Sequence, residues 1–186
     1  ITSSEGKVFS QEDAAIHSSE ILNKAYVLEE KVLLKHQEKE FVATAKGVSE
    51  SYKELLSFDS LLVEGSYLGN YQNKNVAVIG RGVAYYLSLG TGNMFNQLQV
   101  FSPNRSVKTL LNPQTAFKQA TVLPVGVFGI QAEIDEQYII TPLEFLQELG
   151  DRGDNISAIE IMLKNPNKTE EVQEQLKEQL GGEFLV

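Results

Sequence analysis

Apolar and polar positions follow two periods along this chain, and the stretch 121–150 holds both. Val122, Val125, Val127 and Ile130 supply β-branched residues to a strand in which Pro124 marks a bulge or an edge position. Gly126 and Gly129 mark bends or close backbone approaches. Residues 131–136 are polar and turn the chain, and 137–140 is a short second strand. Thr141 is expected to cap a helix whose first residue is Pro142. A cap oxygen takes an orphan N–H there, and proline has none to orphan. Leu143, Leu146 and Leu149 fall three apart on one helix face, and Gly150 is the expected stop. On its residues alone this stretch is a core piece of an α+β domain, with nothing in it that performs chemistry.

The remaining pattern extends the same reading. Residues 1–9 form a strand broken at Glu5-Gly6. Ser10 with Asp13 resembles a capping box and predicts a helix to about Lys24, with Ala14, Ile21 and Leu22 apolar. Residues 26–37 read as a strand, Glu38-Lys39-Glu40 as a hairpin turn, and 41–48 as the answering strand, with Val42, Thr44 and Lys46 alternating against Phe41, Ala43 and Ala45. A short helix is expected near 52–56, a polar loop at 69–75 and a brief buried strand at 76–79. A helix follows at 82–89, with Val83, Tyr86 and Leu87 on one face and Gly90 as its stop. Residues 98–101 are a strand ended by Ser102-Pro103-Asn104. Residues 105–119 are the longest part without clear periodicity. They hold the cations Arg105, Lys108 and Lys118 and the apolar Leu110, Leu111 and Phe117, and such a loop, if exposed, is a candidate for function. Residues 156–163 alternate as a strand. Asn165-Pro166-Asn167 precedes a helix to Leu180 with Val172, Leu176 and Leu180 on one stripe and Gly181-Gly182 at its end. Residues 183–186 form a last strand. No internal repeat appears.

Composition narrows the classes. A chain of 186 residues makes one domain or two small subdomains. The net charge of −9 argues against a nucleic-acid partner, which needs a concentrated basic face. The absence of cysteine excludes disulfides, thiolate zinc sites and cysteine nucleophiles. No apolar run reaches the roughly 18 residues that a membrane span requires, and no signal peptide is visible. Both ends, at Ile1 and at Phe184-Leu185-Val186, are expected to be cut points inside a longer protein.

The remaining motifs match no site chemistry. His17 and His36 have no second ligand at metal spacing and read as structural or solvated. Glu133, Asp135 and Glu136 cluster in a turn but lack the alternating ligands and glycine of a calcium loop. Gly80-x-Gly82 and Gly90-x-Gly92 lack the third glycine of the dinucleotide pattern and the lysine of a P-loop, so helix start and helix stop are the better readings. No serine sits in a nucleophile elbow. Asn104, Asn155 and Asn167 open N-x-S/T triplets, which matter only in a chain that meets a glycosylation machinery. The expectation is a protein that is not an enzyme, with no catalytic residue, cofactor or metal site.

Several of these segments, in order, resemble the extracytoplasmic domain of FtsX-like, MacB-type ABC-transporter permeases. The closest branch is the lipoprotein-releasing permeases of the LolC/LolE type. The resemblance rests on Gly6-Lys7-Val8-Phe9, on Ile79, Gly80, Ala84, Leu87 and Gly90 of NVAVIGRGVAYYLSLG, on Ser102-Pro103, on the Val125-Gly126-Val127-Phe128 strand, on the Pro142-Leu143-Glu144 helix start, and on ISAIEIMLKNP from Ile156 to Pro166. It departs at Gly92-Asn93, a turn where the family usually has Gly-Asp.

The resemblance implies a two-subdomain, α+β periplasmic core. One mixed βαβ part is membrane-proximal and built from 1–37 and 150–186. The other is an inserted, mainly β part, 38–149, with a protruding loop at 103–118. The resemblance also implies membrane helices flanking this chain, an ATPase on a separate subunit or domain, a second permease copy or homologue, and a place on the periplasmic face of the inner membrane. In that branch the protruding loop captures a periplasmic lipoprotein carrier. Here Arg105, Lys108 and Lys118 would steer an acidic partner, and Leu110, Leu111 and Phe117 would anchor it; a plain β-connection folded back on its own sheet is the other reading of this loop. Lipoprotein cargo is the alternative occupant. Efflux or control of a cell-wall hydrolase by the same fold, and a free-standing small-molecule-binding α/β protein, are the other functions to be weighed.

Overall fold

In the computed structural model, which describes residues 1–6, 8–69, 74–91, 96–105 and 116–186, the fold is α+β and organised on one long strand. In chain order the elements are β1 (Thr2–Ser3), β2 (Phe9–Ser10), β3 (Ile21–His36), β4 (Lys39–Val48), α1 (Tyr52–Leu55), β5 (Leu62–Gly65), β6 (Val76–Gly80), α2 (Arg81–Leu87) and β7 (Leu98–Pro103). Then come β8 (Phe117–Phe128), α3 (Ala132–Asp135), β9 (Tyr138–Pro142), α4 (Leu143–Leu149), β10 (Asn155–Ile156), β11 (Ala158–Leu163), α5 (Thr169–Leu180) and β12 (Phe184–Leu185).

The 16 residues of β3 serve two neighbourhoods. One edge pairs antiparallel with β4, from Val27↔Val48 to His36↔Lys39, across a tight turn in which Gln37 takes φ 54°. The other edge is shared. β11 pairs with its first half, and β7 with Leu33–Lys35. From β4 the sheet continues through β9 (parallel), β6, β8 (parallel to β6) and back through β7 to β3. Six strands therefore close into a ring, which leaves no free edge within it. β5 is added outside β8, and β1 with β12 outside β11. The expected boundary after Gln37 falls in the β3–β4 hairpin, so strands of both expected parts share one sheet.

Burial follows from period. On β3, Leu28, Glu30, Val32, Leu34 and His36 face inward at every second position. Two packed clusters result. The larger includes Leu28, Leu34, Ile79, Leu146, Ile159 and Leu176, and the smaller is built around Phe58, with Tyr67 and Phe128 at ring distances of 4.8 and 5.9 Å. Gly47 lets α4 lie directly on β4, since a Cβ there would stand 2.9 Å from the Leu146 Cβ. Val172 and Leu176 bury the α5 stripe as the pattern predicts.

Three expectations are corrected. Residues 11–20 are turn and coil, not helix. Ser10 and Asp13 do bond locally: Ser10 N–H donates to the Asp13 carboxylate and Glu12 N–H to the Ser10 hydroxyl, each at 3.3 Å. Those bonds close a turn, and Ile21 and Leu22 open β3 instead. Thr141 does not cap α4. It is fully buried in the β4–β9 ladder opposite Gly47, and Pro142 takes the cap position. Gly150 stops α4 as expected, standing at its C-cap, and the positive-φ reversal follows at Asp151, with φ 52°. α2 ends at Ser88, with φ 53°, rather than at Gly90, and Tyr86 faces outward while Val83, Ala84 and Leu87 are buried. The bulge at Pro124 is present: β6 pairs Ala77 with Pro124 and Val78 with Gly126, skipping Val125.

Candidate functional site

The aperiodic stretch after Pro103 interrupts a β-hairpin. β7 and β8 pair as far as Pro103↔Phe117, and the Asn104 N–H donates to the Ala116 carbonyl at 2.8 Å. Residues 103–105 and 116–118 are thus two arms that leave the sheet side by side. Lys108, Leu110 and Leu111 lie outside the described residues.

Both arms meet the turn that follows α4. β3 carries Glu30 between its two partners β11 and β7, with a side chain only 5 % exposed. One carboxylate oxygen accepts from Arg105 Nη2 at 2.8 Å, and the other accepts from Arg152 Nε. Arg105 also donates through Nη1 to the Gly150 carbonyl at 3.2 Å. On the second arm Lys118 pairs with Asp151. Charge-assisted bonds of this kind are shorter and stronger than neutral ones. A buried carboxylate that lost them would carry a desolvation cost of several kcal/mol.

Of the described residues expected to form the site, Arg105 and Lys118 are therefore brought together at the base of the segment, each facing an acid of this same chain. Phe117 is half-exposed beside them. Glu30, Asp151 and Arg152 escaped the sequence reading because they stand 75, 33 and 122 residues from their partners along the ion pairs that join them. One signal was available. Glu30 is an acid at a position that the alternation of Leu28, Val32 and Leu34 assigns to the core.

A second charged group lies on the other face of the sheet. Lys46 Nζ is 2.6 Å from Glu160 and 3.9 Å from Glu29, and stands 5.0 Å from the centre of the Tyr52 ring. Burial pushes this ammonium down, but Tyr52 and Glu160 outweigh it, and its pKa is raised overall. Burial pushes the Tyr52 hydroxyl up.

The remaining candidates are structural where the residues are described. His36 is buried, with Nδ1 2.9 Å from the Leu87 carbonyl at the end of α2. Asp135 accepts from the Ile130 N–H at 2.7 Å and faces Arg81 at 3.6 Å. Gly80 and Gly82 permit the start of α2 to lie on α3: a Cβ at Gly80 would strike the Asp135 carbonyl, and one at Gly82 would stand 2.9 Å from the Glu136 Cα. Among the described residues no cluster of three or more His, Cys, Asp or Glu has the geometry of a metal site, and no helix is long and apolar enough to cross a membrane.

The family model for the MacB-like periplasmic core domain matches residues 3–179. No curated protein sequence matches the chain. Among solved structures, the extracellular domain of the noncanonic ABC-type transporter YknZ from Gram-positive bacteria superposes with a TM-score of 0.65 at 12% identity, over 94% of this chain and 83% of that one. The periplasmic region of MacB from Actinobacillus actinomycetemcomitans superposes with a TM-score of 0.61 at 17% identity, over 92% of this chain and 72% of that one.

Proposed function

The chain belongs to the family of MacB-like periplasmic core domains, and from that premise we propose that it acts in the release of lipoproteins from the inner membrane to a periplasmic carrier. As a periplasmic domain of a MacB/FtsX-type ABC-transporter permease, it lies on the periplasmic or extracellular side of the membrane. The membership removes the support for a free-standing small-molecule binder.

In this reading the domain performs no covalent chemistry. An ATPase on a separate subunit or domain drives the domain as a lever, and the domain hands over the cargo. A second permease copy or homologue completes the assembly. The segment 103–118 docks the carrier, with Arg105, Lys108 and Lys118 as its cations and Leu110, Leu111 and Phe117 as its apolar anchors. The observation that supports this use is Phe117. It is a large apolar side chain left half-exposed at the base of two arms that are otherwise tied down by ion pairs.

The test is photo-crosslinking from position 117 in the full-length permease within its envelope, with a deletion of 106–115, which keeps position 117, as control. Capture of a lipoprotein carrier or of a lipoprotein, lost in the deletion, is the expected result. Capture of an efflux adaptor or a cell-wall hydrolase instead would move the function to efflux or hydrolase control within the same family.

A further inference from the structure

The geometry points to Glu30 as a positioning residue: we propose that this buried carboxylate, with the Lys118–Asp151 pair beside it, sets the direction in which the arms 103–105 and 116–118 leave the sheet and couples that direction to α4. Beyond Phe117 the two arms have each other's backbone, and a two-stranded ribbon on its own is marginally stable and free to twist. Its direction is decided by what the side chains grip. Arg105 of the first arm and Arg152 of the turn are like charges, which would separate if Glu30 did not stand between them. Arg105 adds a bond to the Gly150 carbonyl, and Lys118 of the second arm grips Asp151. Gly150 and Asp151 therefore receive one arm each, and Arg152 shares Glu30 with the first arm.

That turn is itself fixed to the helix. The Gly150 N–H donates to the Leu146 carbonyl and the Arg152 N–H to the Gln147 carbonyl, both at 2.9 Å, and the Asn155 N–H then donates to the Arg152 carbonyl at 3.1 Å. α4 lies against β4 through Gly47. A shift of α4 against the sheet thus carries the turn, and with it the arms. The coupling is a property of this chain and holds whichever partner the segment meets. It deepens the docking reading only by naming what aims the segment.

The chain has no cysteine, so two introduced ones give a clean distance probe. Ala116→Cys and Glu148→Cys carry spin labels in the full-length permease, with any cysteines outside this domain replaced. The parent protein is expected to give one narrow distance distribution. Glu30→Gln is expected to lose it. Arg105→Met, which keeps the Glu30–Arg152 pair and so spares the interior, is expected to release the first arm and broaden the distribution as well. Lys118→Glu broadens it less, and Lys118→Glu with Asp151→Lys restores it, an outcome that general destabilisation does not produce. A folded Arg105→Met protein with the parent distribution overturns the proposal. Absence of any crosslinked partner at position 117, together with a broadened Arg105→Met distribution, defeats the docking reading and leaves the coupling standing.

Discussion

Glu29 and Glu30 are neighbours on one strand, and they serve opposite faces of the sheet in opposite ways. At Glu30 one carboxylate, almost wholly buried, accepts from two guanidiniums that come from distant parts of the chain. At Glu29 the roles invert: one ammonium, Lys46, faces two carboxylates and a phenol ring. The Lys46 group joins strands that the backbone already joins, because Glu29 and Lys46 are direct cross-strand partners and Glu160 lies on β11 beside β3. The Glu30 group joins a strand, a loop arm and a helix-end turn that share no ladder at that point. An ion cluster on top of paired strands adds little to what the ladder secures. One that bridges unpaired segments decides where they go.

The sharpest way to break this contrast is Glu30→Ala. It leaves two guanidiniums facing each other across a buried space, and is expected to cost about 3 kcal/mol in urea denaturation. A loss as small as that of a surface substitution would place the two clusters in one class. Lys46→Met is expected to cost less, about 1 kcal/mol. The carboxylates it frees are a third or more exposed and can hydrate in place. Equal costs for the two variants would remove the distinction between bridging and redundant clusters. Lys118→Ala, at the exposed edge of the first cluster, is expected to cost about 0.5 kcal/mol at low salt, and less at 1 M salt, where the Debye length falls to about 3 Å.

The smallest effect is one of pH. Lys46 has a folded pKa above its ordinary 10.5. Its contribution is therefore complete below the unfolded value and lost as pH rises through the folded one. The stability gap between the parent and Lys46→Met is expected to hold from neutral pH to about pH 9 and to shrink above about pH 10.5. A gap that widened in that range would contradict the sign of the shift.

Legibility followed the range of the forces involved. The strand 41–48, the buried 76–79, the Pro124 bulge and the α5 stripe were readable, since each depends on side-chain period or on the chemistry of one residue. The failed helix at 10–24 shows the limit of local signals. The Ser10–Asp13 bonds form, yet they fix one turn and say nothing of the next, and no apolar stripe follows to extend it. Thr141 fails for the converse reason. Its local cap chemistry was overruled by pairing with β4, a strand some hundred residues earlier. In the candidate site the cations Arg105 and Lys118 stood out as charges in an aperiodic segment. Of their acids, Glu30 shows in sequence only as a charge at a core-facing position, which does not name its partners, and Asp151 shows no such signal.

By itself the sequence determined the α+β class, most of the elements with their inward faces, and a resemblance whose family is the one found. It did so because period-2 and period-3.6 patterns, turn glycines and prolines act within a few residues. Only the tertiary structure decided that six strands close into a ring through β7, that Gly80 and Gly82 serve helix packing, and that both arms of the 103–118 segment are tied to residues 150–152. Those are contacts between segments far apart in the chain. Their geometry follows from which surfaces bury together and which charges find a partner once water is excluded, and no local pattern encodes that choice.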